Sequence, residues 1–134
     1  MIEESLHLVQ QRMADAMRRA GRVDSALLVA VTKNHPVSAV EEVARLGVTH
    51  VGENRVQEAK EKQLTYNGPQ LVWHLIGHLQ TNKAKQIVGK VALIHSVDSE
   101  RLLQQIEQEA AKQDVFQDVL LQVNVSGEES KFGM

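Results

Sequence analysis

Lys33 is the residue of this sequence best placed for covalent chemistry. It follows the apolar run Leu27-Leu28-Val29-Ala30-Val31 and then Thr32. A lysine at the mouth of a strand can attack an aldehyde and form a Schiff base once partial burial or a neighbouring cation has removed its proton. The same spacing suits a solvated lysine that closes a strand with its ammonium in water, and spacing does not choose between the two. Asn54, in Gly52-Glu53-Asn54-Arg55-Val56-Gln57-Glu58, follows a second apolar run. It reads as a helix cap, with Gln57 at the position that could complete it, and it also sets an amide beside the same mouth. Trp73-His74-Leu75-Ile76-Gly77-His78 carries two histidines four apart, which on a helix would suit zinc. The stretch reads as a strand, there is no cysteine, and no third ligand stands at an expected spacing. Core or pocket histidines are therefore expected, and no metal. His95-Ser96-Val97-Asp98-Ser99 holds the residue types of a hydrolase triad, but a triad is assembled by geometry and not by adjacency. A helix cap is the better account.

These residues need elements to hold them. Leu6, Val9, Met13 and Met17 recur at helical spacing, with acids in the first turn and Arg18 and Arg19 in the last. This predicts a leading helix over 1–20, stopped by Gly21. The run 27–31 is too short for a helix and reads as a strand buried on both faces. Pro36, then Ser38 and Glu41 at capping-box spacing, then Val40, Val43 and Leu46, predict a helix that Gly47 ends. The unit of strand, loop and helix repeats, with strands over 48–51, 71–76, 91–95 and 119–125. Helices are expected from the Asn54 cap to 64, over 82–88, and behind Asp98 or Ser99 with Leu102, Leu103 and Ile106 on the buried side.

Strands that alternate with single helices imply right-handed crossovers and a parallel sheet, whose functional groups collect where strands end. A five-stranded doubly wound sheet fits 134 residues, whereas a TIM-type barrel needs eight strands and ~200 residues or more. The fifth strand, however, runs into 126–134 with no helix behind it. The expectation is thus a single domain over 1–134 of parallel α/β units, five strands of either an open sheet or an unfinished TIM-type barrel, and in the unfinished barrel the first and last strands leave edges open to self-association. The balance of 15 basic and 17 acidic residues gives no field to recruit nucleic acid or an anionic membrane. The N-terminal segment lacks the basic start and apolar run of a signal peptide, and no run approaches a membrane span. A cytoplasmic protein with a small-molecule or protein partner is the plain reading. Neither the nucleotide-loop glycines nor the dinucleotide fingerprint is present.

Taken together, Val29-Ala30-Val31-Thr32-Lys33, the Gly52 to Glu58 stretch, Trp73-His74-Leu75-Ile76-Gly77-His78-Leu79-Gln80-Thr81-Asn82-Lys83, the His95 to Ser99 stretch and Gln122-Val123-Asn124-Val125-Ser126-Gly127-Glu128-Glu129-Ser130-Lys131 resemble the pyridoxal phosphate homeostasis proteins. The five stretches come in family order and cover nearly the whole chain. The resemblance implies a barrel related to the N-terminal domain of alanine racemase, without the racemase's second domain, with pyridoxal 5′-phosphate held as an internal aldimine on Lys33. It also implies that Asn54 and His74, on neighbouring strand mouths, face the cofactor ring, and that Lys131 is a secondary or transient contact. The family's phosphate site would come from three further strands that this sequence lacks. The implied role is to sequester the cofactor and influence its supply to dependent apo-enzymes, without an established reaction of its own. One departure is His35 before Pro36, where the family often has a second lysine, which weakens the idea of a lysine relay.

Two other functions compete. An amino-acid racemase-like enzyme would need a base on the opposite cofactor face, and no residue here can be named for it. A signalling or cofactor module on a doubly wound sheet would want acids, or a hydroxyl- and glycine-rich phosphate loop, after the first strand. Thr32-Lys33-Asn34-His35-Pro36 is neither.

Overall fold

The computed structural model describes residues 1–134. Its elements are α1 (Ile2–Arg19), β1 (Ala30–Val31), α2 (Val37–Arg45), β2 (His50–Glu53), α3 (Val56–Thr65) and β3 (Val72–Leu75). A 3₁₀ turn (Thr81–Lys83) then leads into α4 (Ala84–Ile87), followed by β4 (Leu93–Val97), α5 (Glu100–Gln113) and β5 (Asp118–Leu121). The five strands form one sheet in the order β1-β2-β3-β4-β5, and every neighbouring pair is parallel. A doubly wound sheet reverses its strand order at a switch point. This order never reverses, so the sheet is an arc of a TIM-type barrel and the doubly wound alternative falls.

Side chains alternate across the sheet, and the apolar ones on one side meet the helices. Leu75, Ile94 and Val97 pack with Ile87, Leu102 and Ile106 under α3, α4 and α5. Val51 packs with Val40, Ala44, Val48 and Leu71 under α2. The opposite, inner face carries Gly52, aligned with His74 by register. A side chain at Gly52 would press on those of Ile76 and Val29 at 3.1 to 3.3 Å, so the glycine lets that layer close. Helix ends follow the sequence signals: Gly47 turns at φ +99° after α2, Gly21 at +66° after α1, and Ser99 caps α5 by accepting from the Leu102 N–H at 3.1 Å.

Several expected bounds shift for identifiable reasons. The ladder of β1 covers only Ala30 and Val31, not 27–31; with Ala30 opposite Val51, residues 27 and 28 would face positions ahead of His50, where β2 begins. The last strand ends at Leu121 and not at 125, since beyond it the chain pairs with its own end: Met134 N–H donates to Gln122 O at 2.9 Å and Asn124 N–H to Met134 O at 3.0 Å. Asn54 does not cap α3; Arg55 stands at the cap with no side-chain bond. The Ser38 and Glu41 box does not form either, because Pro36 holds the cap position and Glu41 accepts from the Asn67 N–H at 2.8 Å. The leading helix buries no residue, and Leu6 is its contact with the α2 cluster.

Leu75 is fully buried, so Leu75→Ala is expected to cost about 2–5 kcal/mol. Val9, exposed on α1, should tolerate alanine within about 0.5 kcal/mol. Urea unfolding of both variants is the check, and equal losses would contradict this division of the core.

Candidate functional site

A buried ion cluster stands behind the end of β1. Lys62 lies one helical turn beyond Glu58 on α3, facing the sheet with its side chain 8% exposed. A buried ammonium is tolerated only when its protons are matched. Lys62 Nζ donates to Thr32 O at 2.7 Å, Glu53 Oε1 at 2.9 Å and Glu58 Oε1 at 2.8 Å. Glu53 is fully buried at the end of β2, and its second oxygen accepts from the Thr32 hydroxyl. Glu58 Oε1 also accepts from the Asn34 N–H at 2.8 Å. The hydrogen bond from Lys62 holds the Glu58 carboxyl below the usual carboxylate range, against a smaller opposing effect of burial. Thr32 N–H donates to Gly52 O at 3.2 Å, and Asn34 sits in the left-handed region at φ +63°. Between these fixed neighbours Lys33 is exposed.

The inner face carries a row of three imidazoles. His50 Nδ1 lies 2.9 Å from His74 Nε2, and His74 Nδ1 lies 2.9 Å from His95 Nε2. Each contact needs one proton between two nitrogens. Three neutral rings supply two such protons and one at an outer nitrogen. A fourth proton fills the other outer nitrogen, and a fifth would set two N–H groups against each other. The intact row is therefore neutral or singly charged. Burial, with smaller contributions from His95 and His50, pushes the His74 pKa down, and burial does the same to His95. No group of three or more histidine or acidic side chains is arranged to hold a metal ion, and the ring nitrogens of this row face one another instead.

His74 does not stand at a strand mouth. It pairs with Gly52 inside the sheet, so Asn54 lies two residues nearer the mouth on β2's own course, and both His74 ring nitrogens are engaged. Asn54 is half-buried just beyond β2. A Cβ at Gly77 would collide with the Asn54 carbonyl oxygen, so glycine is what lets the loops after β2 and β3 touch. The hydrolase types after β4 are separated: His95 joins the imidazole row, Ser96 Oγ donates to Gly77 O at 2.6 Å, and Asp98 pairs with His78 at 3.0 Å. His78 also stacks on Phe132, centroids 3.9 Å apart and rings 13° from parallel. That contact ties the segment bearing Lys131, exposed one residue earlier, to the loop after β3. The structure thus brings Lys33 and Asn54 to the ends of adjacent strands and sets His74 below. Lys131 makes its hydrogen bonds within its own loop, its N–H donating to Glu128 O at 3.2 Å and its carbonyl accepting from Asn124 Nδ2 at 3.5 Å.

Lys62 and Glu53 escaped the sequence reading. Their signal was the four-residue spacing of Glu58 and Lys62, and an acid directly following the strand run Val51-Gly52.

A family model described as alanine racemase, N-terminal domain, matches residues 5–134. The pyridoxal phosphate homeostasis protein of Aquifex aeolicus is 44% identical over 132 residues, covering 98% of this chain and 58% of the relative. That of Pseudomonas aeruginosa is 38% identical over 133 residues, with the same shares. Among solved structures, PipY of Synechococcus elongatus without PLP superimposes with a TM-score of 0.85 at 36% identity, over 99% of this chain and 58% of PipY. PipY with PLP bound gives 0.77 at 38% identity, over 93% and 55%. The chain spans about 58% of the length of these curated relatives.

The row of imidazoles predicts a pH dependence. His74 and His95 have folded pKa values below the ordinary 6.5, so the unfolded chain binds more protons in the window beneath 6.5. Their contribution is fully present above that pH and is lost as pH falls through the folded values. The urea midpoint should drop between about pH 7.5 and pH 5.5, and His74→Leu should flatten the drop. A midpoint indifferent to pH, or an unchanged slope in the variant, would count against the buried neutral row.

Proposed function

The chain belongs to the alanine racemase N-terminal domain family, and from that membership we propose that it binds pyridoxal 5′-phosphate through covalent attachment to Lys33 and takes part in intracellular homeostasis of that cofactor. The observation that carries the reading is the placement of Lys33: an exposed amine at the end of β1 whose neighbours Thr32 and Asn34 are both bonded to a buried cluster. An amine that must attack an aldehyde has to be reachable and carried on a fixed backbone; this one is exposed, and the peptide units on both sides of it are bonded to the cluster. Strand alternation supports it further, since Thr32 turns to the helices and the next residue turns to the inner face. PipY, solved with PLP bound, supports the ligand class.

In this reading Asn54 offers an amide beside the cofactor ring. His74 forms the polar floor of the site through its row, and Lys131 is a secondary or transient contact carried in by Phe132. The cofactor supplies an aldehyde and an electron-withdrawing ring, while the chain's own residues bind and orient it. A racemase-type enzyme would need a free base across the ring. His74 and His95 are engaged with each other, which favours a carrier that passes the cofactor to apo-enzymes. No helix is long and apolar enough to cross a membrane, which supports placing that role in the cytoplasm. Exposed Leu120 and Leu121 on β5 and Val31 on β1 mark the sheet edges through which copies of the chain would associate.

Incubation with pyridoxal 5′-phosphate, borohydride reduction and peptide mapping test the assignment. The label should fall on Lys33 and vanish in Lys33→Ala. Stoichiometric label on Lys131 with none on Lys33 would refute it.

A further inference from the structure

We infer that Lys62, with Glu53 and Glu58, is a clamp that positions Lys33. The inference rests on the reading of Lys33 as the cofactor-holding amine, and it assigns the cluster a task beyond filling the space between β2 and α3. A purely structural ion pair would need only Lys62 and Glu53. Here the third proton of Lys62 goes to Thr32 O, the carbonyl of the peptide unit that enters Lys33. Glu58 accepts from the Asn34 N–H, which belongs to the peptide unit that leaves Lys33. Both peptide units flanking one residue are thus bonded to one buried cation, directly or through one carboxylate. Two anchors on either side fix both backbone dihedrals of Lys33, since planar peptide units leave only those two free. Asn34, at φ +63°, is the third residue of a turn that His35 N–H closes on Thr32 O at 3.2 Å, a position that accepts asparagine, and the clamp bonds that turn to α3 through both peptide units of Lys33.

The cluster divides the work between two lysines. Lys62 is buried with three hydrogen bonds donated to oxygens, so it is no rival for an aldehyde. Lys33, whose backbone it fixes, is exposed.

Lys62→Met would strand Glu53 as a buried unpaired charge and endanger folding, so the decisive variants are at Glu58, which is less buried. Glu58→Ala removes the acceptor of the Asn34 N–H, and Glu58→Gln retains an oxygen there. Two readouts are taken at matched melting temperature: hydrogen exchange of the Asn34 amide, and the rate at which pyridoxal 5′-phosphate with cyanoborohydride modifies Lys33, with exposed Lys90 as the internal control. Loss of one such bond should speed Asn34 exchange about tenfold in Glu58→Ala. Displacement of the amine should slow capture at Lys33 about tenfold relative to Lys90. Glu58→Gln should stay within about twofold of the parent in both, because it keeps the acceptor. Unchanged Asn34 exchange in Glu58→Ala would overturn the clamp, and so would faster exchange with undiminished capture at Lys33. If the parent chain takes no label on Lys33 at all, the proposed function fails, and the exchange comparison alone then decides whether Glu58 holds the loop.

Discussion

The buried ammonium of Lys62 is the interaction on which the front of this sheet depends. Removing a charge from water costs several kcal/mol even after relaxation, so the cation persists only where every proton finds an oxygen. The three oxygens come from three different parts of the chain: the end of β1, the end of β2 and the first turn of α3. Satisfying one cation therefore forces those three parts into register. β1 is a two-residue strand at the sheet edge, with a small apolar cluster beneath it. The ion cluster supplies the definition that apolar packing there does not. Deleting Lys62 leaves Glu53 buried without its cation, typically a loss of about 3–5 kcal/mol, whereas deleting the less buried Glu58 leaves Lys62 paired with Glu53 and Thr32 O.

The inner face has its own constraint. Barrel interiors are mostly filled by branched apolar side chains, whereas three strands of this one contribute an imidazole each. Hydrogen bonding sets the spacing of that row, and proton counting limits its charge. Above it Gly52 leaves room for Val29 and Ile76 to meet, which gives the site an apolar layer over a polar one. Farther out, Gly77 brings the Asn54 backbone against the loop after β3, and the stack of His78 on Phe132 draws in the segment after β5. Each of these contacts joins elements from different repeats of the strand and helix unit, so the mouth is a shared product of the sheet and not of any single loop.

What the sequence revealed follows the range of the forces involved. The repeat of strands and helices, the glycines ending α1 and α2 and the Ser99 cap depend on neighbours a few residues apart, and all were legible. Strand order was not, because periodicity reports that a segment is buried and says nothing of which segment lies beside it. The bounds of β1 and β5 were missed for the same reason: a ladder extends as far as its partner does. Lys33 could be singled out by its place after an apolar run. The partners that hold it could not, since Lys62 pairs with Thr32 across thirty residues and a charged residue on a helix normally reads as a solvated face. His74 was noticed as a histidine in a strand, but its tie to His50 and His95 needs the register of three strands.

The central claim is that one lysine clamps and another reacts, and a single spectrum can test it. In chain labelled with ¹⁵N at its lysine side chains, the Lys62 ammonium should be visible as a slowly exchanging signal, because its three protons are donated to buried oxygens. Titration with pyridoxal 5′-phosphate should then move the Lys33 signal out of the ammonium region while the Lys62 signal stays in place. A Lys62 signal that exchanges as fast as those of exposed lysines, or a titration that displaces Lys62 and leaves Lys33 unchanged, would contradict the account.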